Sequence, residues 1–229
     1  MNNKILVVVA HPDDEIIGVA GTLKRHIDLG DEVRVIILGE GQTSRYSDRK
    51  EVPKEILEDL HNDSYLAAEC IGYNKIYFAN FPDNRFDEAV LLDIVKYIEN
   101  IIEEYKPDII YTHHGGDLNI DHQYSFRATM TATRPIRGKH IVKKIYSFET
   151  LSATEWNFDT NSRFMPNYFV CIDNTIDAKQ KAMSCYKSEL CKAPHPRSIE
   201  IIECSARKWG SVIGTKYAEA FEVVRCIEY

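Results

Sequence analysis

No apolar run in this chain approaches the roughly 20 residues that span a bilayer, so stable membrane insertion is not expected. An excess of positive charge is missing too. The formal charge is −7, from 28 Lys and Arg against 35 Asp and Glu, whereas a general nucleic-acid binder needs a positive face to displace counterions. The one basic cluster, Arg134 to Lys144, is short, contains a Pro and a Gly, and reads as a solvated loop or, alternatively, as a patch that meets an anionic substrate. Its six cysteines (Cys70, Cys171, Cys185, Cys191, Cys204, Cys226) include no C-x-x-C pair. They read as reduced, mostly buried small hydrophobes. The opening segment Met1 to Ala10 lacks a charged start followed by an apolar run and a cleavage site. No signal peptide is therefore expected, and the expected location is cytoplasmic.

Missing motifs narrow the chemistry further. No G-x-G-x-x-G follows the first apolar run, which argues against a dinucleotide site, and no G-x-S-x-G elbow occurs. The P-C-x-x-C of zinc deaminases is absent as well. Asp117-x-Asn119-x-Asp121 imitates the start of a calcium loop, but that loop needs Gly and Glu where this chain has His122 and Ala128.

What is present is an alternation of two periods. Lys4–Ala10 (KILVVVA) is a continuous apolar run, as in a strand covered on both faces. Glu15–Leu29 then carries Ile16, Val19, Ala20, Leu23 and Ile27 at helical spacing, with Gly30 as a stop. Glu32–Leu38 predicts a second strand, a helix follows the polar loop 39–50 and runs through Ala68, and Lys75–Ala79 predicts a third strand. Glu88–Tyr105 predicts a helix and Asp108–Thr112 a fourth strand. In the second half Lys143–Phe148 and Tyr168–Ile172 read as strands, and Thr175–Leu190 and Ser198–Lys208 as helices. This pattern predicts an α/β, Rossmann-like, mostly parallel sheet with helices on both faces, in a single domain covering 1–229. Right-handed crossovers and the order 3-2-1-4-5 set strands one and four side by side.

Ligands in such sheets bind beyond the carboxyl ends of the strands, where strand order reverses. After strand one come His11-Pro12-Asp13-Asp14-Glu15, and after strand four His113-His114-Gly115-Gly116-Asp117-Leu118-Asn119-Ile120-Asp121-His122. The two segments richest in metal-ligating side chains thus fall at adjacent strand ends. Zinc takes imidazole nitrogen and carboxylate oxygen, and a catalytic site leaves one position open. His11 and Asp14 lie three apart across a turn fixed by Pro12, and a third ligand from the other loop would give two histidines and one carboxylate. Asp13, beside a ligand but off the metal, is placed to take a proton. Each segment also has a plainer reading: Asp-rich turns cap helices, a lone His122 suits a structural role, and Glu15 suits either a first-turn charge or a partner that orients a ligand.

The motif His11-Pro12-Asp13-Asp14-Glu15 after a first strand, with Asp121-His122 after the fourth, resembles the PIG-L/LmbE-type N-acetylglucosaminyl deacetylases. Pro82-Asp83-Asn84-Arg85 and Tyr217-Ala218-Glu219-Ala220-Phe221 are similar to further stretches of that family. The resemblance implies that His11, Asp14 and His122 bind Zn2+, with Fe2+ suited to the same ligands, and that Asp13 is the general base. It also implies a small-molecule amino-sugar substrate and removal of its N-acetyl group; a homo-oligomer is compatible with it. Some members carry a histidine three residues before the last ligand. Here Asn119 stands there, able to donate a hydrogen bond to an oxyanion but not a proton, which leaves protonated Asp13, His114 or His195 as candidate acids. Expected at the substrate side are Arg45 with its neighbours Glu40, Gln42, Thr43 and Ser44, then Asp83, Arg85 and His114, and His195 in the rigid turn Pro194-His195-Pro196-Arg197. Two alternatives stand beside this reading: a zinc amidohydrolase acting on a non-sugar N-acyl substrate, and a catalytically silent sugar- or metal-binding domain.

Overall fold

A computed structural model describes residues 2–228. Strands β1 (Lys4–Val9), β2 (Glu32–Gly39), β3 (Lys75–Phe81), β4 (Ile109–His113), β5 (Lys144–Phe148), β6 (Tyr168–Cys171) and β7 (Ala218–Cys226) form one seven-stranded sheet ordered β3-β2-β1-β4-β5-β7-β6. The first five are parallel, while β7 runs antiparallel to both β5 and β6. The expected 3-2-1-4-5 order is present, extended by an antiparallel edge.

The described residues also form six α-helices: α1 (Asp14–Asp28), α2 (Lys54–Ile71), α3 (Leu91–Tyr105), α4 (Ile120–Ala132), α5 (Ile176–Met183) and α6 (Ile199–Ile213). The period-two geometry of β1 divides the core. Ile5, Val7 and Val9 join the cluster under α1, α2, α5 and α6, whereas Leu6, Val8 and Ala10 join the one under α3 and α4. A strand buried on both faces must be apolar throughout, which is why β1 reads as an uninterrupted run.

Four elements depart from the sequence reading. The helix expected over Thr175–Leu190 ends at Met183, where the chain turns and carries Tyr186 and Glu189 toward the carboxyl edge of the sheet. The expected start at Glu88 moves to Leu91, because residues after β3 form turns with Glu88 N donating to Arg85 O. Helix α4 is unanticipated: it starts within the His113–His122 segment, at Ile120, and buries hydroxyls rather than an apolar stripe. Ser125, Thr129 and Thr133 each donate to the carbonyl four residues back, at 2.7–2.8 Å. Strand β7 is also unanticipated: it starts at Ala218, within the Tyr217–Phe221 stretch, and runs on to Cys226. Among the described residues no helix is long and apolar enough to cross a membrane.

Candidate active site at the carboxyl edge of the sheet

The loops leaving β1 and β4 converge because those strands pair directly, Val8 opposite Thr112. The β1 loop turns sharply into α1. Asp13 takes φ 98°, a left-handed conformation that L side chains seldom adopt, at a cost of about 1–3 kcal/mol. The main-chain N–H of His11 donates to Asp14 Oδ2 at 2.8 Å, tying the turn closed. Gly41, at φ 71°, lets the loop after β2 pass overhead, since a Cβ there would lie 3.0 Å from Pro12.

Asp14 Oδ2 is the centre of the cluster. His11 Nδ1 and His122 Nε2 each lie 3.4 Å from it, and His11, Asp14 and His122 form a group whose ligand atoms fall within 4.8 Å of one another. The outer nitrogens face carboxylates. His11 Nε2 lies 3.0 Å from Asp121 and 3.2 Å from Asp83, and His122 Nδ1 lies 3.2 Å from Asp117. A carboxylate behind an imidazole fixes its tautomer and aims its other nitrogen. Asp121 is itself held by the main-chain N–H groups of Asn84 and Phe86, at 2.6 and 2.9 Å. Asp117 accepts from Thr154 Oγ1 and Asn119 N at 2.6 and 2.9 Å.

The electrostatics follow this layout. Burial raises the proton affinity of Asp14, but the charges of His122 and His113 and hydrogen bonds from His11 and His113 bring it well below the ordinary carboxylate range. Burial lowers His122, and the facing Asp14 and Asp117 more than reverse that, to about 9. His11 likewise rises well above 6.5 through Asp121 and Asp14 against its burial. Asp13 moves opposite to its neighbour: burial and then the Asp14 charge raise it well above the usual range, partly countered by Arg197.

A cavity of about 210 Å³ opens over this cluster. His11, Asp13, Asp14 and His122 line it, as do Asn119, Arg45 and Asp83. Asn119 caps α4, accepting from Asp121 N at 2.8 Å, and its amide donates to Asn84 Oδ1 at 3.0 Å. Three expected substrate contacts are not in the lining. Arg85 is exposed and pairs with Glu88. His114 bonds Glu222 and the Ser162 carbonyl, each at 2.8 Å, on the far side of its strand. His195 accepts from Arg197 N at 3.1 Å and meets the Trp156 ring edge-on. Of the loop after β2, Gln42, Ser44 and Arg45 line the cavity, while Glu40 is buried against Arg49.

Further side chains shape the site, and of these His113 and Glu189 were not singled out from sequence. His113 stacks on His122 with ring centroids 3.9 Å apart and accepts from Ala10 N at 2.9 Å. Glu15, completely buried, accepts from Tyr186 Oη at 2.6 Å, consistent with the orienting alternative weighed for it. Glu189 accepts from Gln42, Arg45 and Arg197 at 2.7, 2.6 and 2.8 Å, and Arg197 lies 3.3 Å from Asp13. Glu189 and Arg197 come from far along the chain, where only the rigid proline turn gave a signal.

Residues 6–133 match the family described as PIG-L: GlcNAc-PI de-N-acetylase. The diacetylchitobiose deacetylase of Thermococcus kodakarensis is 24% identical over 238 residues, covering 96% of this chain and 83% of that one. Among solved structures, the N,N'-diacetylchitobiose deacetylase of Pyrococcus horikoshii superposes with a TM-score of 0.78 at 22% identity, over 97% of this chain and 84% of that chain. GalB of Pseudomonas putida, a 4-carboxy-2-hydroxymuconate hydratase, superposes with a TM-score of 0.76 at 20% identity, over 100% of this chain and 99% of that one. At such identities these superpositions establish the fold alone, and a fold does not fix a reaction.

Proposed function

The chain belongs to the PIG-L family, matched over residues 6–133, and on that premise we propose that it is a metal-dependent amidohydrolase that removes the N-acetyl group of an N-acetylglucosamine-type amino sugar. One observation carries the proposal: two imidazole nitrogens and a carboxylate oxygen converge from two separate loops, with Asp13 beside them and off the cluster. Two histidines and one carboxylate, the histidines backed by carboxylates, form a donor set that fits zinc and leaves a coordination position open. Iron(II) suits the same donors. His11, Asp14 and His122 would hold the ion, which would serve as a Lewis acid toward water and the acyl carbonyl.

The rest is done by the chain. Asp13, buried and with raised proton affinity, receives the proton of the attacking water and returns it to the departing amine. Asp117 and Asp121 hold the two histidines in register. Ser44 and Asn84 are anchored on Asp83 at the rim, through Oγ at 2.6 Å and Nδ2 at 3.3 Å, leaving polar groups for sugar hydroxyls. A volume near 210 Å³ is below the roughly 300–1,000 Å³ of pockets for drug-sized ligands. It suits one terminal pyranose, with the remainder of a glycoconjugate or polysaccharide precursor outside.

The test is metal analysis of protein purified without chelators, combined with acetate release from a panel of N-acetyl sugars and N-acyl amino acids. About one ion per chain and acetate from the sugars are expected. Asp13→Ala should retain the ion and lose turnover; wild-type turnover in that variant refutes the role of Asp13. Acetate from the amino acids alone refutes the sugar specificity.

A further inference from the structure

The guanidinium of Arg197 is only half satisfied. Its Nη1 serves two carboxylates, Asp13 Oδ2 at 3.3 Å and Glu189 Oε2 at 2.8 Å. Among the described residues Nη2 and Nε have no acceptor, and Nε is fully buried. Nε is closed to any ligand, whereas Nη2, on the same side of the planar guanidinium, keeps an N–H of the kind that grips anionic oxygens. Arg197 also lines the cavity over the His11, Asp14 and His122 cluster. An unfilled donor is therefore fixed beside the residue proposed to move the proton.

Other donors for a developing oxyanion are committed elsewhere. Asn119 caps α4 and bonds Asn84, and His114 and His195 do not line the cavity. Arg45 is bound to Glu189 and faces solvent.

We infer that Arg197 is a catalytic residue whose unpaired Nη2 donates to the acyl oxygen as that oxygen becomes negative. This rests on the amidohydrolase reading. In the step, the water oxygen bonds to the acyl carbon and its proton passes to Asp13, while the carbonyl π pair moves onto the oxygen facing Arg197. Collapse then restores the carbonyl, breaks the C–N bond with its pair going to nitrogen, and returns the proton from Asp13 to the amine. The products are acetate and a free amino sugar. Because Nη1 is anchored on Asp13 and Glu189, the donor is oriented before substrate arrives, which is where such stabilisation is most effective.

The experiment compares wild type, Arg197→Ala and Arg197→Lys, each verified for metal content and thermal unfolding. Arg197→Ala should lose about 10²–10³-fold in kcat with KM within threefold. Methylguanidinium should restore part of that activity in Arg197→Ala and none in Asp13→Ala. Lysine keeps a charge near Asp13 and Glu189 but lacks the planar guanidinium, so Arg197→Lys should remain close to Arg197→Ala. In a binding arm that needs no turnover, calorimetry with a glucosamine N-methylphosphonamidate, a tetrahedral mimic, should show a matching loss of affinity, while free glucosamine binds all three proteins equally. Arg197→Ala with kcat within threefold of wild type, a loss confined to KM, or unchanged affinity for the mimic overturns the inference. Wild type that cleaves no N-acetyl sugar defeats the deacetylase reading instead; Arg197 is then judged by the mimic, and no binding by wild type overturns it as well.

Discussion

Asp13, Asp14 and Glu15 are consecutive carboxylates, and the fold gives each a different affinity for its proton. Asp14 faces imidazoles and stays ionised, whereas Asp13 lies against the Asp14 charge in a buried position. Glu15 points into the core, and burial, opposed by the Tyr186 hydroxyl, raises its pKa from 4.5 to about 7. The folded protein therefore holds a proton on Glu15 that the unfolded chain has released between pH 4.5 and 7, so this group destabilises the fold as pH rises through that window. The full effect is about 3 kcal/mol at 1.36 kcal/mol per unit. His113 acts in the opposite sense. Burial and the neighbouring His122 lower it from 6.5 to about 4, so between those values the unfolded chain holds the extra proton and stability rises with pH. The two slopes nearly cancel in wild type. Urea denaturation of metal-free Glu15→Gln should uncover the rise: its stability relative to wild type should increase by about 3 kcal/mol between pH 4.5 and pH 7. A difference that stays flat with pH would show that Glu15 ionises normally.

Helix α1 carries the site at its N-terminus, and its middle is clamped from the other end of the chain. Glu219 of β7 accepts from Gly21 N and Thr22 N at 3.0 and 2.7 Å, and Lys179 of α5 bridges Glu219 and the Ile17 carbonyl at 2.5 and 2.7 Å. Both charges are almost wholly buried. Removing one partner of a buried pair leaves the other uncompensated, so Glu219→Ala should destabilise by about 3–5 kcal/mol, read from chemical denaturation. A loss below 1 kcal/mol would mean that α1 is held by apolar packing alone. This clamp gives a physical meaning to the Tyr217–Phe221 stretch, which the sequence reading noted only as a likeness. Strands β1, β2 and β4 were legible because a strand buried on both faces is apolar throughout, and parallel pairing then places the His11 and His122 loops together. Helix α4 was not, since its buried face is made of hydroxyls that satisfy themselves on their own backbone. His114 was chosen over His113, yet successive residues of a strand face opposite sides. The side toward His122 belongs to His113. Arg197 and Asp13 are separated by 184 positions, and no local pattern announces such a pair.

The two apolar layers of the sheet include none of His11, Asp13, Asp14 and His122, which sets the relation between metal and stability. Small zinc domains fold on their metal, but here the core clusters under and over β1 bury their side chains independently of the site. Chelation should therefore leave the chain folded at 25 °C and lower its melting temperature. Zinc at about 1,000 times its Kd adds about 4 kcal/mol; at about 2–4 °C per kcal/mol for a chain of this size, the melting point should rise by about 8–16 °C. His11→Ala should abolish most of that rise. The effect also has a pH dependence with a definite sign. In the metal-free protein His122 is raised to about 9 against its burial by Asp14 and Asp117, so at neutral pH the ion must displace a proton from it. Zinc affinity, and with it the thermal shift at fixed zinc, should grow as pH is raised from 7 toward 9. Calorimetric melts at several pH values with and without zinc decide the matter. A shift that is constant with pH, or that survives in His11→Ala, would place the ion somewhere other than among His11, Asp14 and His122.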